Sequence, residues 1–192
     1  MTNRDRKKVV KQAIEILNDG GVILYPTDTI WGIGCDANNP SAIAKVYEIK
    51  NRENKKPLII LIDDKNLLLN YVKSVPEIAE KMIDMNQVPT TIIYDDPINL
   101  PKILTYKNTI GIRVIKSHPI NMLLNKFKKP LTSTSANQAN YKSPVSFKTI
   151  DEHIKNEVDY IFPENFIETD SINKSSRIIK INKNSSIEVI RD

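Results

Sequence analysis

Short β-branched runs alternate along the chain with segments of helical period, and that alternation limits the fold more than any single motif does. VILY at 22–25, LIILID at 58–63, TTIIY at 90–94, TIGIRVI at 109–115, PLTSTSA at 130–136, RIIKIN at 177–182 and IEVIRD at 187–192 each read as a strand. Helical spacing fills the intervals. In DRKKVVKQAIEILN, residues 5–18, Val9, Val10, Ala13, Ile14, Ile16 and Leu17 recur at helical intervals, and Gly20-Gly21 offers the positive-φ exit such helices favour. Pro40 suits the first helical position of PSAIAKVYEIKNR, and further helical patterns cover 64–72, 76–85, 119–127 and 147–158. Strands and helices mixed in this order predict an α/β fold on a mixed sheet. No internal repeat or low-complexity linker interrupts them, so residues 1–192 are expected to form one domain.

Composition narrows the setting. A chain of 192 residues can bury roughly 70% of its unfolded surface, enough for a sizeable core. Its longest apolar runs, such as Pro57 to Ile62, fall far short of the ~20 residues that cross a bilayer, and MTNRDRKK has no apolar signal core. No membrane partner and a cytoplasmic location are therefore expected. Cys35 is the one cysteine, so no internal disulfide can form, and a small buried core residue is its simplest reading. The net charge of +5 suits anionic partners such as nucleotides or RNA, although a solvated basic face is the default explanation for such an excess.

Four polar clusters fall at predicted strand or helix ends: Thr27-Asp28-Thr29, Lys50-x-Arg52 with Lys55-Lys56, Thr109 to Arg113, and Ser133 to Asn137. Each has a local explanation as a cap, a turn or a helix end complementing its dipole. Together they have a shared one. Strand carboxyl ends are where open α/β sheets bind ligands, and Arg, Lys and hydroxyl groups are the donors that phosphate and carboxylate oxygens take. The familiar nucleotide signatures are absent: there is no G-x-x-x-x-G-K-[ST] loop, and Gly32-x-Gly34 lacks the third glycine of a dinucleotide fingerprint. No Cys/His cluster suggests a protein-bound metal, His118 and His153 read as surface or structural histidines, and no G-x-S-x-G elbow marks a hydrolase.

The strings YPTDTIWGIGCDA (25–37), KNRENKKPLIIL (50–61), TIGIR (109–113), TSTSAN (132–137), SSRIIKI (175–181) and VIRD (189–192) occur in the order in which the YrdC-like family of L-threonylcarbamoyladenylate synthases carries such motifs. The chain resembles that family over essentially its whole length. The resemblance implies a twisted mixed sheet flanked by helices around a positively charged concave cavity, in the short single-domain form. It implies condensation of L-threonine, bicarbonate and ATP to threonylcarbamoyl-AMP and pyrophosphate, with Mg²⁺ on the ATP phosphates and none held by protein ligands. The product would pass to downstream tRNA threonylcarbamoyl-transferase machinery for N6-threonylcarbamoyladenosine formation, and tRNA or double-stranded RNA could itself bind.

Residue by residue, the resemblance assigns Thr29, Arg113, Ser133 and Ser176 to L-threonine, with Arg113 gripping its carboxylate. It assigns Arg52, Lys56, Thr109, Ser135, Asn137, Ser143 and Arg191 to ATP, and places Lys50 and Arg52 at the reaction itself. The sequence departs from the family pattern at Trp31 for tyrosine, Gln87-Val88-Pro89 for proline-glycine-proline, Ala139-Asn140 for serine-glycine, Leu61 for a histidine of some members, and Arg177 for threonine. These departures keep a paralogue with another substrate open, as the positive charge keeps open a non-catalytic RNA-binding module. With only 6% aromatic residues, the chain is poor in the stacking side chains such a module would use.

Overall fold

The computed structural model describes residues 1–53, 57–85, 88–167, 174–182 and 186–192. The first helix, α1 (Asn3–Asn18), starts at Thr2, whose hydroxyl accepts from the Asp5 N–H, and turns Val9, Val10, Ala13 and Leu17 into the core. Helix α2 (Pro40–Ile49) is capped by Asn39, whose side chain accepts from the N–H groups of Ser41 and Ala42. It ends at Lys50. Further along lie α3 (Glu77–Met85), α4 (Asn121–Phe127) and α5 (Glu152–Glu157).

Among the described residues nine strands form one sheet: β1 (Ile23–Pro26), β2 (Trp31–Gly34), β3 (Ile59–Ile62), β4 (Thr90–Asp95), β5 (Thr109–Val114), β6 (Leu131–Ser135), β7 (Tyr160–Ile161), β8 (Arg177–Ile181) and β9 (Ile187–Arg191). Their order is β7-β1-β2-β6-β3-β5-β4-β8-β9. The β1/β7, β3/β5 and β4/β8 pairs are parallel and the others antiparallel, so the sheet is mixed as expected. Buried side chains from both faces and from the helices join in one apolar cluster.

Three local expectations need correction. No strand is expected from the pattern between 25 and 58, yet Trp31–Gly34 returns as β2 in a hairpin with β1, leaving Thr27–Ile30 as its turn. Residues 64–72 make a 3-10 turn over Lys65–Asn70 instead of an α-helix. The pattern at 147–158 is split: Ile150 is extended, and Asp151 starts α5 by accepting from the His153 N–H. A side chain that offers the backbone a cap restarts a helix where apolar period alone would run on.

Register decides which residues can meet. Gly32 lies opposite Ser135, Ile59 opposite both Ser133 and Gly111, Ile93 opposite Gly111, and Thr91 opposite Ile178 on β8. Because strand side chains alternate, Ser133, Ser135, Ile59, Arg113 and Ile178 share one face of the sheet.

Candidate active site

That face carries a cleft of about 150 Å³, lined among the described residues by Thr27, Thr29 and Ile30 of the hairpin turn, by Gly32, Ile59 and Ser133–Ser135 on neighbouring strands, and by Ser175, Ser176 and Ile178. Arg52, Arg113 and Arg191 reach it from three directions: the end of α2, the C-terminal half of β5 and the last residue of β9. The described lining contains no carboxylate and no aromatic ring. Thr29, Arg52, Arg113, Ser133, Ser135, Ser176 and Arg191, expected from the sequence, are therefore brought together.

Each arginine is held by a different device. Arg52 donates from Nη1 to Thr134 Oγ1 at 3.2 Å and from Nη2 to the Pro57 carbonyl at 3.1 Å, and burial lowers its pKa. Arg191 donates from Nε and Nη2 to the Ser176 carbonyl at 3.1 and 2.8 Å, which fastens β9 to the start of β8. Its pKa is lowered by burial and by the nearby Arg113 charge. Arg113, with only 4% of its side chain exposed, has Nη2 3.0 Å from Asp28 Oδ1. Guanidinium groups fixed in place by the fold in this way are donors already oriented for an incoming anion.

The hydroxyls are ordered as well. Thr27 Oγ1 donates its one hydrogen to the Ile30 carbonyl at 2.7 Å, so in its 2.8 Å contact with Thr29 Oγ1 the donor is Thr29. Thr29 Oγ1 is left as an acceptor. Across the cleft, Ser176 Oγ lies 2.9 Å from Thr91 Oγ1.

Lys50, Thr109, Asn137 and Ser143 are not among the lining residues. Lys50 is buried and sends its ammonium to the carbonyls of Ser135 and Asn137, while its own carbonyl accepts from the Ala139 N–H at 2.8 Å. It anchors the loop after β6 to the end of α2. Burial, and then the charge of Arg52, lower its pKa to about 7. Thr109 lies at the opposite end of β5 from Arg113 and donates to the Tyr106 carbonyl at 2.7 Å. Asn137 closes its own loop, donating to Gln138 and Tyr141 carbonyls at 2.8 and 2.7 Å. Ser143 precedes Pro144, which lines a second groove that shares Thr27, Thr29 and Ile30 with the first. Lys55 and Lys56 lie outside the described residues.

Sequence reasoning singled out neither Thr134, which receives Arg52, nor the pairing of Asp28 with Arg113. Thr134 falls inside the Ser133 to Asn137 cluster, but the resemblance assigns it no role, and its contact with Arg52 joins segments distant in the chain. Elsewhere, Trp31 packs on Phe147 with ring centroids 4.9 Å apart. Cys35 is buried against Thr132, and burial pushes its thiol up to about 12, as suits a core residue. His118 is half-buried with a lowered pKa, chiefly from burial, and its Nδ1 accepts from the Ile120 N–H.

Residues 15–192 match the family model Sua5_yciO_yrdC, described as telomere recombination. The chain belongs to the Sua5/YciO/YrdC family. A protein of Methanocaldococcus jannaschii, provisionally named threonylcarbamoyl-AMP synthase, is 37% identical over 190 residues, which are 98% of this chain and 88% of that protein. The threonylcarbamoyl-AMP synthase of Pseudoalteromonas translucida is 33% identical over 162 residues, 82% of this chain and 87% of that one. In fold, the chain is similar to P. abyssi Sua5 solved in complex with L-threonine, with a TM-score of 0.80 at 23% identity, over 95% of this chain and 53% of that chain. This chain thus spans about half the length of that Sua5 protein.

Proposed function

We propose that this member of the family is an L-threonylcarbamoyladenylate synthase, condensing L-threonine, bicarbonate and ATP to threonylcarbamoyl-AMP and pyrophosphate. The observation that carries the reading is the convergence of Arg52, Arg113 and Arg191 with the hydroxyls of Thr29, Ser133, Ser135 and Ser176 on one cleft. The name shared by relatives at 37% and 33% identity agrees with it.

The chemistry asks for such a cleft. The amine of threonine, once it has given up its ammonium proton, attacks the carbon of bicarbonate, water leaves, and an oxygen of the resulting carbamate attacks the α-phosphorus of ATP while pyrophosphate departs. Carboxylate, bicarbonate and triphosphate must then lie side by side, and clustered guanidinium groups offset their repulsion. In this assignment Arg113, Thr29, Ser133 and Ser176 hold threonine, and Arg52, Arg191 and Ser135 hold the nucleotide, with Lys56 beside Arg52 in sequence. Lys50 acts at one remove, through the loop carbonyls it binds. Catalysis is positioning and charge stabilisation, with no covalent enzyme intermediate.

Mg²⁺ enters with the ATP phosphates, ligated by them and by water; the cleft's own donors are guanidinium and hydroxyl groups, which suit the phosphates better than the metal. The setting is a single cytoplasmic domain that passes its product to tRNA-modifying machinery. Against a non-catalytic RNA-binding module stands a described lining with no ring on which a base could stack. Purified protein incubated with ATP, Mg²⁺, bicarbonate and L-threonine should release pyrophosphate only when both bicarbonate and threonine are present. Release indifferent to threonine would replace this reading with a paralogue acting on another substrate.

A further inference from the structure

The contact between Arg113 and Asp28 is close but poorly formed. At 3.0 Å a guanidinium and a carboxylate normally share an aligned hydrogen bond, yet among the described residues Arg113 Nε and Asp28 Oδ1 are both buried without a hydrogen-bond partner. A pair kept only for stability would be expected to satisfy itself, because an unmet donor or acceptor on a buried charge is costly. Here one unmet donor and one unmet acceptor lie next to each other. Asp28 stands between Thr27 and Thr29, which line the cleft, and Arg113 lines it from the sheet. The turn that carries Asp28 belongs to a hairpin end, and its carboxylate is 18% exposed against 4% for Arg113, so Asp28 is the partner with room to move.

We propose that this pair is the receptor for the α-amino acid head group: the substrate carboxylate takes Arg113, and the substrate ammonium takes the Asp28 carboxylate that the exchange releases. The proposal rests on the synthase reading and deepens it, by making Asp28 a specificity residue for a free α-amine. An α-amino acid joins its two charged groups through one carbon, so it can satisfy two receptors at once only when they are adjacent. A zwitterion that inserts between Asp28 and Arg113 exchanges one misaligned ion pair for two aligned ones. A ligand with a carboxylate and no amine would break the pair and leave Asp28 without a cation.

Calorimetric titrations of the native protein and of Asp28→Asn decide it, using L-threonine and 3-hydroxybutanoate, which keeps the carboxylate and hydroxyl of threonine and lacks its amine. The native protein should prefer threonine by roughly tenfold to a hundredfold, the range for hydrogen bonds to charged groups. Asp28→Asn should lose most of that preference by weakening threonine alone, while still binding ATP. An undiminished preference in Asp28→Asn overturns the proposal, as does a native protein that takes both ligands equally. Tighter binding of both ligands by the variant overturns it too, since Asp28 would then be a mere plug. Should the variant fail to bind ATP for want of folding, the native comparison of the two ligands decides. A native protein that ignores threonine but binds L-serine with the same dependence on its amine would remove threonine from the proposed function and support the receptor; one that binds neither overturns both.

Discussion

Gly34 lies against the backbone of Thr132 so closely that a Cβ on it would sit 1.8 Å from the Thr132 carbonyl oxygen. The same carbonyl accepts from the Tyr25 hydroxyl at 3.0 Å, and the Thr132 N–H donates to the Cys35 carbonyl at 2.9 Å. The join between β2 and β6 therefore has no slack, and that join sets the distance from the Thr27–Ile30 turn to Ser133 and Ser135.

Gly34→Ala should destabilise the fold by about 3 kcal/mol or more, since the clash is with backbone that other bonds hold in place. Gly111→Ala provides the comparison. Its Cβ would meet the Ile59 side chain at 3.0 Å, which a rotamer change can relieve, so about 1 kcal/mol is expected. Urea midpoints of the two variants check this, and equal losses would mean that the β2/β6 join does yield.

Lys50 gives a pH dependence with a definite sign. Its folded pKa is lowered to about 7 from the 10.5 usual for lysine, so between those values the unfolded chain holds a proton that the native protein has shed. Stability from this group therefore rises with pH from about 7 to 10.5 and is at its lowest below 7. The slope is at most ~1.4 kcal/mol per pH unit. Lys50→Met should remove that rise, and should also lower pyrophosphate release, because the Ser135 and Asn137 carbonyls lose the group that draws the loop toward α2. Denaturation at several pH values measures the first effect; parallel curves for native and variant protein would place the proton elsewhere.

Much of this arrangement was legible in the chain, for identifiable reasons. The β-branched runs gave most of the strands because burial on both faces leaves a continuous apolar string, and Asn39-Pro40 marked α2 because cap and first-turn chemistry is local. β2 was hidden: WGIG is as buried as β1, but two glycines in four residues carry little strand propensity. The site was legible as a set of motifs and not as a geometry. Arg113 and Ser133 meet because β3 pairs with both β5 and β6, a relation of register between distant segments that no local spacing encodes. Lys50 shows the converse, since the resemblance places it at the reaction itself while its ammonium is found on loop carbonyls.

Arg113→Lys tests the shape of the carboxylate site as distinct from its charge. Lysine keeps the positive charge but offers a point donor where arginine offers a planar fork. The threonine KM should rise roughly tenfold to a hundredfold, in keeping with the loss of a charged hydrogen bond, while ATP affinity stays within about twofold. A matching loss of ATP affinity would show that Arg113 serves the nucleotide as well.

Arg52 and Arg191 should divide from Arg113 in the opposite sense. Arg52 is positioned by Thr134 and by the Pro57 carbonyl, which immobilises its guanidinium before any ligand arrives. Little ordering cost then remains to be met when a phosphate binds, so removal should show its full effect on the nucleotide. Arg52→Ala is expected to weaken ATP binding by ~1.5–3 kcal/mol and to leave threonine binding nearly unchanged. Arg191 is tied to the Ser176 carbonyl on the far wall, and Arg191→Ala frees the end of β9 as well as removing a charge. Its loss should therefore affect both ligands, because Ser176 itself faces the cleft. Equilibrium binding of ATP and of threonine to each variant separates the two residues, and ATP affinity untouched by Arg52→Ala would move the phosphate site away from α2.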